Sequence, residues 1–321
     1  MNVLIVHAHH EPASFSSALA RKASQVLTGL GHQVTFSDLY ATGFNPVSDR
    51  TNFTSRANPD FLKQQAEETH ATEVSGFAPE LEAEIARLEA CDLLIFSFPL
   101  WWFGMPGILK GWVDRVFAMG RIYGNGKLYE NGLGAARKKA MVLMTTGGGP
   151  DAYGGFGVNP SLRQILAPIE HGVFWFNGFL PLDPFVAWSP ARIGQPDREA
   201  FLAQLEQRLR GLEQELPRRL PPLSDFPGFS QDTKRRYMST LSLKKPVDEA
   251  YLSAIPEETA RVQELKRSGV LLEAYIGERE QIPWHAFLLW RESTAEAVLA
   301  HVHSLPLAAY FEVEVTELRQ V

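Results

Sequence analysis

The chain has 321 residues, of which 45% are hydrophobic and 21% are charged, and this composition is typical of globular proteins with a buried core. Its formal net charge is -6, which excludes the strongly basic surface of a nucleic-acid-binding protein. Cys91 is the single cysteine, so an internal disulfide bond is excluded and a cytoplasmic location is expected. The length predicts about two domains.

Short apolar segments alternate with helical patterns over the first two thirds of the chain. The predicted strands lie at residues 3–6, 33–39, 93–98, 140–146 and 173–179. The predicted helices lie at residues 14–30, 79–90, 106–118, 159–172 and 197–216. Nearly continuous apolar strands between helices are typical of a parallel sheet covered on both faces. We therefore predict an α/β fold over residues 1–215, a flavodoxin-like doubly wound domain with a five-stranded parallel sheet.

One segment, LLIFSFPLWWFGMPGIL (93–109), contains no charged residue and is nearly as long as a membrane span. Pro99, Pro106 and two glycines interrupt it, and it changes from an aliphatic run to an aromatic turn. We predict a buried strand followed by a rigid turn that binds a flat, apolar ring, and no membrane partner. The alternative for the turn is a hydrophobic loop at a subunit interface.

The last third of the chain restarts the pattern after a proline-rich connector, predicted at 216–236. Strands are predicted at 239–244, 270–278, 285–291 and 310–318, and helices at 255–268 and 293–305. This βαββαβ order predicts a ferredoxin-like domain over residues 237–321.

Three loops that follow predicted strands carry residues typical of a ligand site; one is the aromatic turn described above. After the first strand, Ser14, Ser16 and Ser17 lead into a predicted helix, whose free N–H groups attract a phosphate. The alternative is that these serines only cap the helix. After the fourth strand, the glycines of TTGGGPDAYGG allow a ligand to approach the backbone closely.

Two other kinds of site are not expected from the sequence. The segment HAHH (7–10) contains three histidines, but no Asp, Glu or Cys at a suitable spacing completes a metal site, so no metal is predicted. No G-x-G-x-x-G motif follows the first strand, which argues against a resident dinucleotide of the Rossmann type. A nicotinamide nucleotide would visit the protein as a co-substrate.

The motifs HAHHEPASFSSAL, SDLYATGFNP, FPLWWFGMPGILKGWVDRVF and TTGG occur in an order and spacing that resemble the NAD(P)H:quinone oxidoreductases of the DT-diaphorase type. The resemblance extends to the connector and implies a dimeric flavodoxin-like protein that binds FAD and uses NAD(P)H. It implies pyrophosphate contacts at His9, Ser14, Phe15 and Ser16. It implies that the flavin ring rests on Pro99, Leu100, Trp101, Trp102 and Phe103. The other ring edge and the adenosine end would contact Thr145, Thr146, Gly147, Gly148, Tyr153 and Arg198.

The family's catalytic positions are matched only in part. A tyrosine and a histidine of the family stabilise charge at the flavin edge; Tyr153 matches the tyrosine, whereas Asn159 stands at the histidine position. An asparagine can donate a hydrogen bond but cannot take up a proton. Of two family tyrosines that line the quinone pocket, Tyr123 is matched and Asn125 replaces the other. The resemblance thus implies charge stabilisation at this site without implying a proton donor.

The second predicted domain resembles the muconolactone isomerase and YciI-like group through LSLKKPVDEA, LKRSG and SLPLAAYFEVEV. That resemblance implies association through the sheets and proton-shift or dehydrohalogenation chemistry in aromatic catabolism. Glu258 aligns with a candidate acid–base carboxylate, and His285 starts a strand near the expected cleft. The alternative for Glu258 is an exposed charge on a helix.

Taken together, the sequence predicts a homodimer or higher oligomer that reduces quinones or related aromatic electrophiles by two-electron ping-pong hydride transfer with FAD. The nearest alternatives are an FMN-dependent azo- or nitroreductase of the same fold and a flavin-binding regulator without turnover. The fused domain is either a second catalytic step or a dimerisation and lid module. Neither nucleic acid nor a membrane is expected as a partner.

Overall fold

The computed structural model describes residues 1–136, 138–154, 157–218, 220–221, 223, 226, 235–277, 284–292 and 294–318. The chain divides into two compact units, Met1–Pro227 and Gly228–Val321. Two hydrophobic clusters lie in the first unit and a third lies in the second. Within the described ranges, no helix combines the length and the apolar character needed to cross a bilayer.

The first unit is built around a parallel sheet. Its strands are β1 (Asn2–His7), β2 (Gln33–Asp38), β3 (Leu93–Pro99), β4 (Lys139–Thr146), β5 (Leu180–Pro181) and β6 (Phe185–Trp188). Its helices are α1 (Phe15–Gly29), α2 (Gln64–Val74), α3 (Pro79–Ala90), α4 (Gly107–Val116), α5 (Leu162–Ile169) and α6 (Gln195–Arg210).

The strands pair in the order β2-β1-β3-β4-β5, and β6 also pairs with β4. Every pairing is parallel. One cluster packs Leu81 of α3 and Trp112 of α4 on one face, and the other packs Leu19 of α1 and Leu205 of α6 on the opposite face. The central strand β3 is buried along its whole length. These features confirm the predicted flavodoxin-like doubly wound fold, and all strands end at one common edge.

The predicted strand at 173–179 is wrong. A π-helical turn (Glu170–Phe174) and a 3-10 turn (Trp175–Asn177) follow α5 directly, and Gly178 ends them with a φ of 82°. Phe174 and Trp175 lie in these turns and are buried. The aromatic residues that suggested a strand are therefore core residues of helical turns. The fifth position of the sheet is instead shared by the short strands β5 and β6.

Two helices of the first unit also differ from the prediction. Helix α2 was not predicted because its apolar periodicity is weak and its buried face includes Glu67 and Glu68. Helix α6 starts at Gln195 and ends at Arg210, earlier than the predicted 216.

The connector predicted at 216–236 lies partly outside the described residues, which omit 219, 222, 224–225 and 227–234. Two of its described backbone groups are bonded to the first unit. Arg218 N donates to Pro181 O at 2.8 Å, and Leu223 N donates to Glu130 Oε1 at 2.9 Å. The connector therefore begins as a segment fixed to this unit.

The second unit contains the strands β7 (Arg235–Leu243), β8 (Leu271–Ile276), β9 (His285–Glu292) and β10 (Phe311–Leu318) and the helices α7 (Glu249–Arg267) and α8 (Ala295–His303). Its sheet is antiparallel with the order β10-β7-β9-β8. This confirms the βαββαβ plan.

Two details of the second unit differ from the sequence prediction or lie beyond the described residues. Helix α7 begins before the predicted residue 255, because Asp248 caps it by accepting from Tyr251 N at 2.8 Å, and Pro256 lies inside the helix. The last residue of the predicted strand 270–278 and the first residue of the predicted helix 293–305 lie outside the described residues.

Candidate active site

A cavity of about 790 Å³ lies at the common edge where β1, β3 and β4 end; we call it the carboxyl-edge cavity. It brings together most of the residues that the sequence predicts to bind the cofactor, which are His9, Ser14, Phe15, Ser16, Pro99, Leu100, Trp101, Thr145, Thr146, Gly147 and Arg198. Its remaining lining was not predicted and consists of Ala13, Ala18, Pro190, Ala191, Gln195, Glu199 and Leu202. The predicted positions Trp102, Phe103, Gly148 and Tyr153 do not line it.

The start of α1 forms one wall of this cavity. Ser14 is the N-cap residue, and its Oγ accepts from Ser17 N at 3.1 Å. The backbone N–H groups of Phe15 and Ser16, in the first turn, have no acceptor in the described part of the chain. Unpaired N–H groups at the positive end of a helix dipole form an anion site. The serines therefore cap the helix and leave two donors for an anion.

His9 lines the carboxyl-edge cavity with one ring nitrogen free to donate. Glu11 N donates to His9 Nδ1 at 2.9 Å, so the proton of the neutral ring is on Nε2. Burial and the neighbouring His10 hold the pKa of His9 below its ordinary value. The His9 ring lies 5.8 Å from that of Trp101, which places a donor beside an aromatic wall.

The aromatic turn after β3 is a two-residue hairpin with strained backbone. Trp101 N donates to Gly104 O at 3.1 Å, and Gly104 N donates to Trp101 O at 3.0 Å. The central residues Trp102 and Phe103 have φ angles of 52° and 59°, as a type I′ turn requires. Trp102 is 98% exposed and Phe103 is 49% exposed. The left-handed conformation costs roughly 1–2 kcal/mol for each such residue, and strain of this kind is concentrated at functional sites.

The end of β4 and the glycine-rich loop after it contribute Thr145, Thr146 and Gly147 to the cavity lining. A Cβ atom added at Gly147 would meet nothing within 4 Å, so the backbone borders open space there. A Cβ atom at Gly148 would lie 3.2 Å from Tyr153 Cε2. Glycine at this position therefore allows the Tyr153 ring to pack against the loop, beside the cavity rather than in its lining. The Tyr153 ring also lies 5.6 Å from that of Trp188.

Arg198 extends the carboxyl-edge cavity along α6. Its Nη1 donates to Pro190 O at 3.1 Å and to Ile193 O at 3.0 Å. The guanidinium group thus fixes the segment before α6, whose Pro190 and Ala191 complete the wall. The sequence signal for this wall is weak, because Pro190 and Ala191 belong to an irregular segment without a motif.

The remaining predicted catalytic residues lie outside the cavity lining. Asn159 N donates to Ala152 O at 2.9 Å, so Asn159 shares a loop with Tyr153. The Tyr123 hydroxyl accepts from Gln65 Nε2 at 3.2 Å, and its ring lies 6.1 Å from that of Phe176. Burial raises the pKa of Tyr123 above its ordinary value.

Glu258 and His285 of the second unit form separate interactions. Glu258 Oε2 accepts from Leu307 N at 2.9 Å, and burial raises the pKa of this carboxyl. His285 Nδ1 lies 2.9 Å from Ser242 Oγ. No hydrogen bond or ion pair joins Glu258 to His285 among the described residues. Glu258 is thus not the exposed charge that the alternative interpretation expected, and its hydrogen bond is separate from that of His285.

The histidines of HAHH occupy different environments. His7 is buried, His9 borders the cavity, and the His10 ring is stacked on that of His9 at 4.8 Å. Across the described residues, no three His, Cys, Asp or Glu side chains are grouped so that they could hold a metal ion.

Comparisons with known proteins place the first unit. Residues 1–210 match a family model described as the flavodoxin-like fold. The chain belongs to this flavodoxin-like family. The second unit lies beyond the residues that the family model matches.

Named relatives of this flavodoxin-like chain include two groups of quinone dehydrogenases. The ribosyldihydronicotinamide dehydrogenase (quinone) of Homo sapiens is 37% identical over 216 residues, which is 67% of this chain and 93% of the relative. The NAD(P)H dehydrogenase (quinone) 1 of Rattus norvegicus is 37% identical over 224 residues, 70% of this chain and 81% of the relative. A solved structure from Klebsiella pneumoniae, described as a candidate quinone reductase, is 34% identical with a TM-score of 0.64, and covers 68% of this chain and 86% of its own.

Proposed function

We propose that the protein is an FAD-dependent NAD(P)H:quinone oxidoreductase whose flavin occupies the carboxyl-edge cavity. The observation that supports this is that one cavity joins a helix start with unpaired N–H groups, the apolar residues Pro99, Leu100 and Trp101, and a glycine-rich loop. The volume of about 790 Å³ falls within the range of about 300–1,000 Å³ that is usual for cofactor sites. The quinone dehydrogenases among the relatives share this unit.

A bound flavin would supply a carrier that receives a hydride from NAD(P)H and gives it to a quinone, so that the two substrates use the site in turn. The N–H groups of Phe15 and Ser16 would bind the diphosphate. Leu100 and Trp101 would pack against the ring and exclude water from it. Tyr153, beside the glycine-rich loop, would donate a hydrogen bond to developing negative charge.

The proposal favours FAD over FMN. The carboxyl-edge cavity is lined from the start of α1 to Pro190, Arg198 and Leu202, and we assign this last part to the adenosine of FAD. This extension offers a cation and apolar side chains to an adenosine. If the protein were an FMN-dependent azo- or nitroreductase, no part of the cofactor would occupy this extension of the cavity.

The test of the proposed function starts with the absorbance spectrum of the purified protein and chromatography of the flavin that heat releases. FAD is the expected product, and release of FMN alone, or failure to take up any flavin, would contradict the cofactor assignment. Stopped-flow mixing with NADH or NADPH should then reduce the bound flavin, and a benzoquinone should reoxidise it. A flavin that NAD(P)H does not reduce would favour the regulator without turnover.

We also propose that the protein is at least a homodimer. Trp102 and Phe103 follow Trp101 directly in the chain, and both are exposed; large exposed apolar patches mark association sites. A second copy that covers this turn would complete the flavin environment. A solution mass near that of one chain, 35.9 kDa, at micromolar concentration would contradict the proposal.

For the second unit we propose an additional isomerase or dehydrohalogenase step on aromatic products, with a dimerisation or lid module as the competing role. The half-buried carboxyl of Glu258, whose pKa burial raises, supports an acid–base function. Its hydrogen bond to Leu307 N supports the structural alternative, because the carboxylate also holds the segment before β10. Comparison of Glu258→Gln with wild type on the quinone reaction and on a later isomerisation separates the two roles.

A further inference from the structure

His7 is a buried polar residue at the end of an otherwise apolar strand. The side chain is 1% exposed, and the four residues before it, Val3 to Val6, are buried and apolar. One ring nitrogen, Nδ1, lies 3.2 Å from Ser97 Oγ at the end of β3, and the other, Nε2, lies 3.0 Å from Ser17 Oγ in α1. Burial of an imidazole is costly unless both nitrogens are paired, and here both are.

The hydrogen bonds around Ser17 fix the direction of this network. The Ser17 hydroxyl has one proton, which it donates to Glu11 O at 2.9 Å. Its oxygen accepts from Ser14 Oγ at 2.9 Å, and the remaining contact requires His7 Nε2 to be a donor. His7 is therefore assigned as the neutral tautomer with its proton on Nε2 and with Nδ1 accepting from Ser97. This agrees with burial, which lowers the pKa of His7 to about 4.

The network ends at the anion site. Ser14 lines the carboxyl-edge cavity and caps α1, and its hydroxyl is held from both sides by Ser17, through N at 3.1 Å and through Oγ at 2.9 Å. A fixed Ser14 sets the course of the backbone that presents the N–H groups of Phe15 and Ser16. The contacts therefore run from the end of β3 through β1 to the first turn of α1.

We propose that His7 is a positioning residue for the phosphate-binding start of α1, acting through Ser17 on Ser14. This inference rests on the proposed binding of a flavin nucleotide and concerns only the phosphate end of that ligand. His7 does not line the carboxyl-edge cavity, so it would make no contact with the flavin ring. Loss of the Ser17 contact should therefore weaken ligands that carry phosphate and spare those that lack it.

Two substitutions at His7 separate the contacts because each amide reproduces one ring nitrogen. In His7→Asn the amide reaches the position of Nδ1 and keeps the contact with Ser97. In His7→Gln it reaches the position of Nε2 and keeps the contact with Ser17. Both variants retain a buried amide on β1, so each is the control for the other in polarity, and the thermal midpoints report the effect of the one methylene group by which they differ.

The experiment is titration of the flavin-free protein with FAD, FMN and riboflavin, with the thermal midpoint of each variant measured alongside. His7→Asn should weaken FAD and FMN about tenfold, as loss of one positioned hydrogen bond implies, with riboflavin unchanged. His7→Gln should bind all three like wild type. Ser17→Ala should reproduce the loss, and the double variant His7→Asn with Ser17→Ala should lose no more than either single variant.

Equal weakening of riboflavin, or equal weakening by His7→Gln, would overturn the positioning role and leave His7 as a core residue. The proposed function fails differently. If the wild type binds no flavin, inorganic pyrophosphate replaces the nucleotides in the titration. A tenfold loss for pyrophosphate in His7→Asn alone would retain the positioning role, whereas equal affinity in both variants, or no binding to the wild type, would end it.

Discussion

Ser16 Oγ lies 2.7 Å from Thr145 Oγ1, so the first turn of α1 is bonded to the end of β4, and both residues line the carboxyl-edge cavity. Both side chains are buried. Each hydroxyl thus has the other as its partner, and the contact fixes the start of α1 relative to the end of β4, which the glycine-rich loop follows.

Thr145→Val should destabilise the protein by about 1–3 kcal/mol, because the buried Ser16 hydroxyl then loses its partner. Adding Ser16→Ala should recover part of that loss, since the unpaired group is removed. The free energy of unfolding in urea measures both. Thr42→Val is the control: its hydroxyl donates to Asp38 O at an exposed site, and its cost should stay within about 0.5 kcal/mol. Strictly additive losses at Ser16 and Thr145 would contradict the pairing.

The pH dependence of stability should carry a signature of His7. Burial lowers its pKa from 6.5 to about 4, Asp38 and a backbone hydrogen bond with Ser97 oppose this shift, and His9 and Arg21 add to it. Between these two values the unfolded chain binds a proton that the folded chain does not, so stability falls as the pH drops from about 6.5 to about 4. The contribution is about 2 kcal/mol between pH 7 and pH 5.

His7→Gln removes this titration while keeping the contact with Ser17. The free energy of unfolding of wild type should therefore drop about 2 kcal/mol more than that of His7→Gln between pH 7 and pH 5. Urea titrations of both proteins at the two pH values provide the measurement. Identical drops would mean that His7 titrates near its ordinary value in the folded state.

The central sheet is predictable from sequence because burial on both faces leaves a nearly unbroken apolar signal, as in Leu93–Pro99. The same signal misleads at 173–179, since a short buried helical turn and a short buried strand have the same composition. Helix α2 gives no such signal. Its buried Glu67 accepts from Ala57 N and Asn58 N, so hydrogen bonds to a distant loop, rather than apolar periodicity, hold its inner face.

In the candidate site too, some features can be predicted from the local sequence and others cannot. The helix start and the glycine-rich loop have local sequence signals, and both line the carboxyl-edge cavity. The left-handed backbone of Trp102 and Phe103 has none, because two-residue hairpins of this type favour Asn and Gly. Aromatic residues in such a turn indicate that function rather than stability selects them.

Replacing the turn tests that interpretation. The double variant Trp102→Asn with Phe103→Gly should raise the free energy of unfolding by about 1 kcal/mol, because the new residues adopt a positive φ at lower cost. It should also lower quinone turnover, because the exposed rings are lost. Ser75→Gly, at the left-handed end of α2, is the control and should raise stability without changing turnover. A destabilised turn variant would show that Trp102 and Phe103 contribute packing.

Tyr153 provides a test of the proposed chemistry. Loss of one donor that stabilises developing charge typically lowers a rate about 10²–10³-fold. Tyr153→Phe should therefore slow flavin reduction by NAD(P)H by about this factor while FAD affinity is retained, as stopped-flow absorbance can measure. Tyr40→Phe, near His10, is the matched control. If Asn159→His supplies the absent proton acceptor, the rate of flavin reduction should acquire a dependence on pH near 6.5, the ordinary pKa of histidine. An unchanged rate in Tyr153→Phe would remove Tyr153 from the mechanism.

The two units should be separable, since each has its own hydrophobic core and the lining of the carboxyl-edge cavity ends at Leu202. A chain that ends at Pro227, the last residue of the first unit, should therefore keep its FAD and reduce a simple benzoquinone at a rate near that of the full chain. Measurement of flavin content and steady-state turnover on both chains decides the outcome.

Loss of quinone turnover with flavin still bound would make the second unit a lid for the first site. Retained turnover, together with loss of a later isomerisation in Glu258→Gln of the full chain, would establish two successive reactions on one polypeptide.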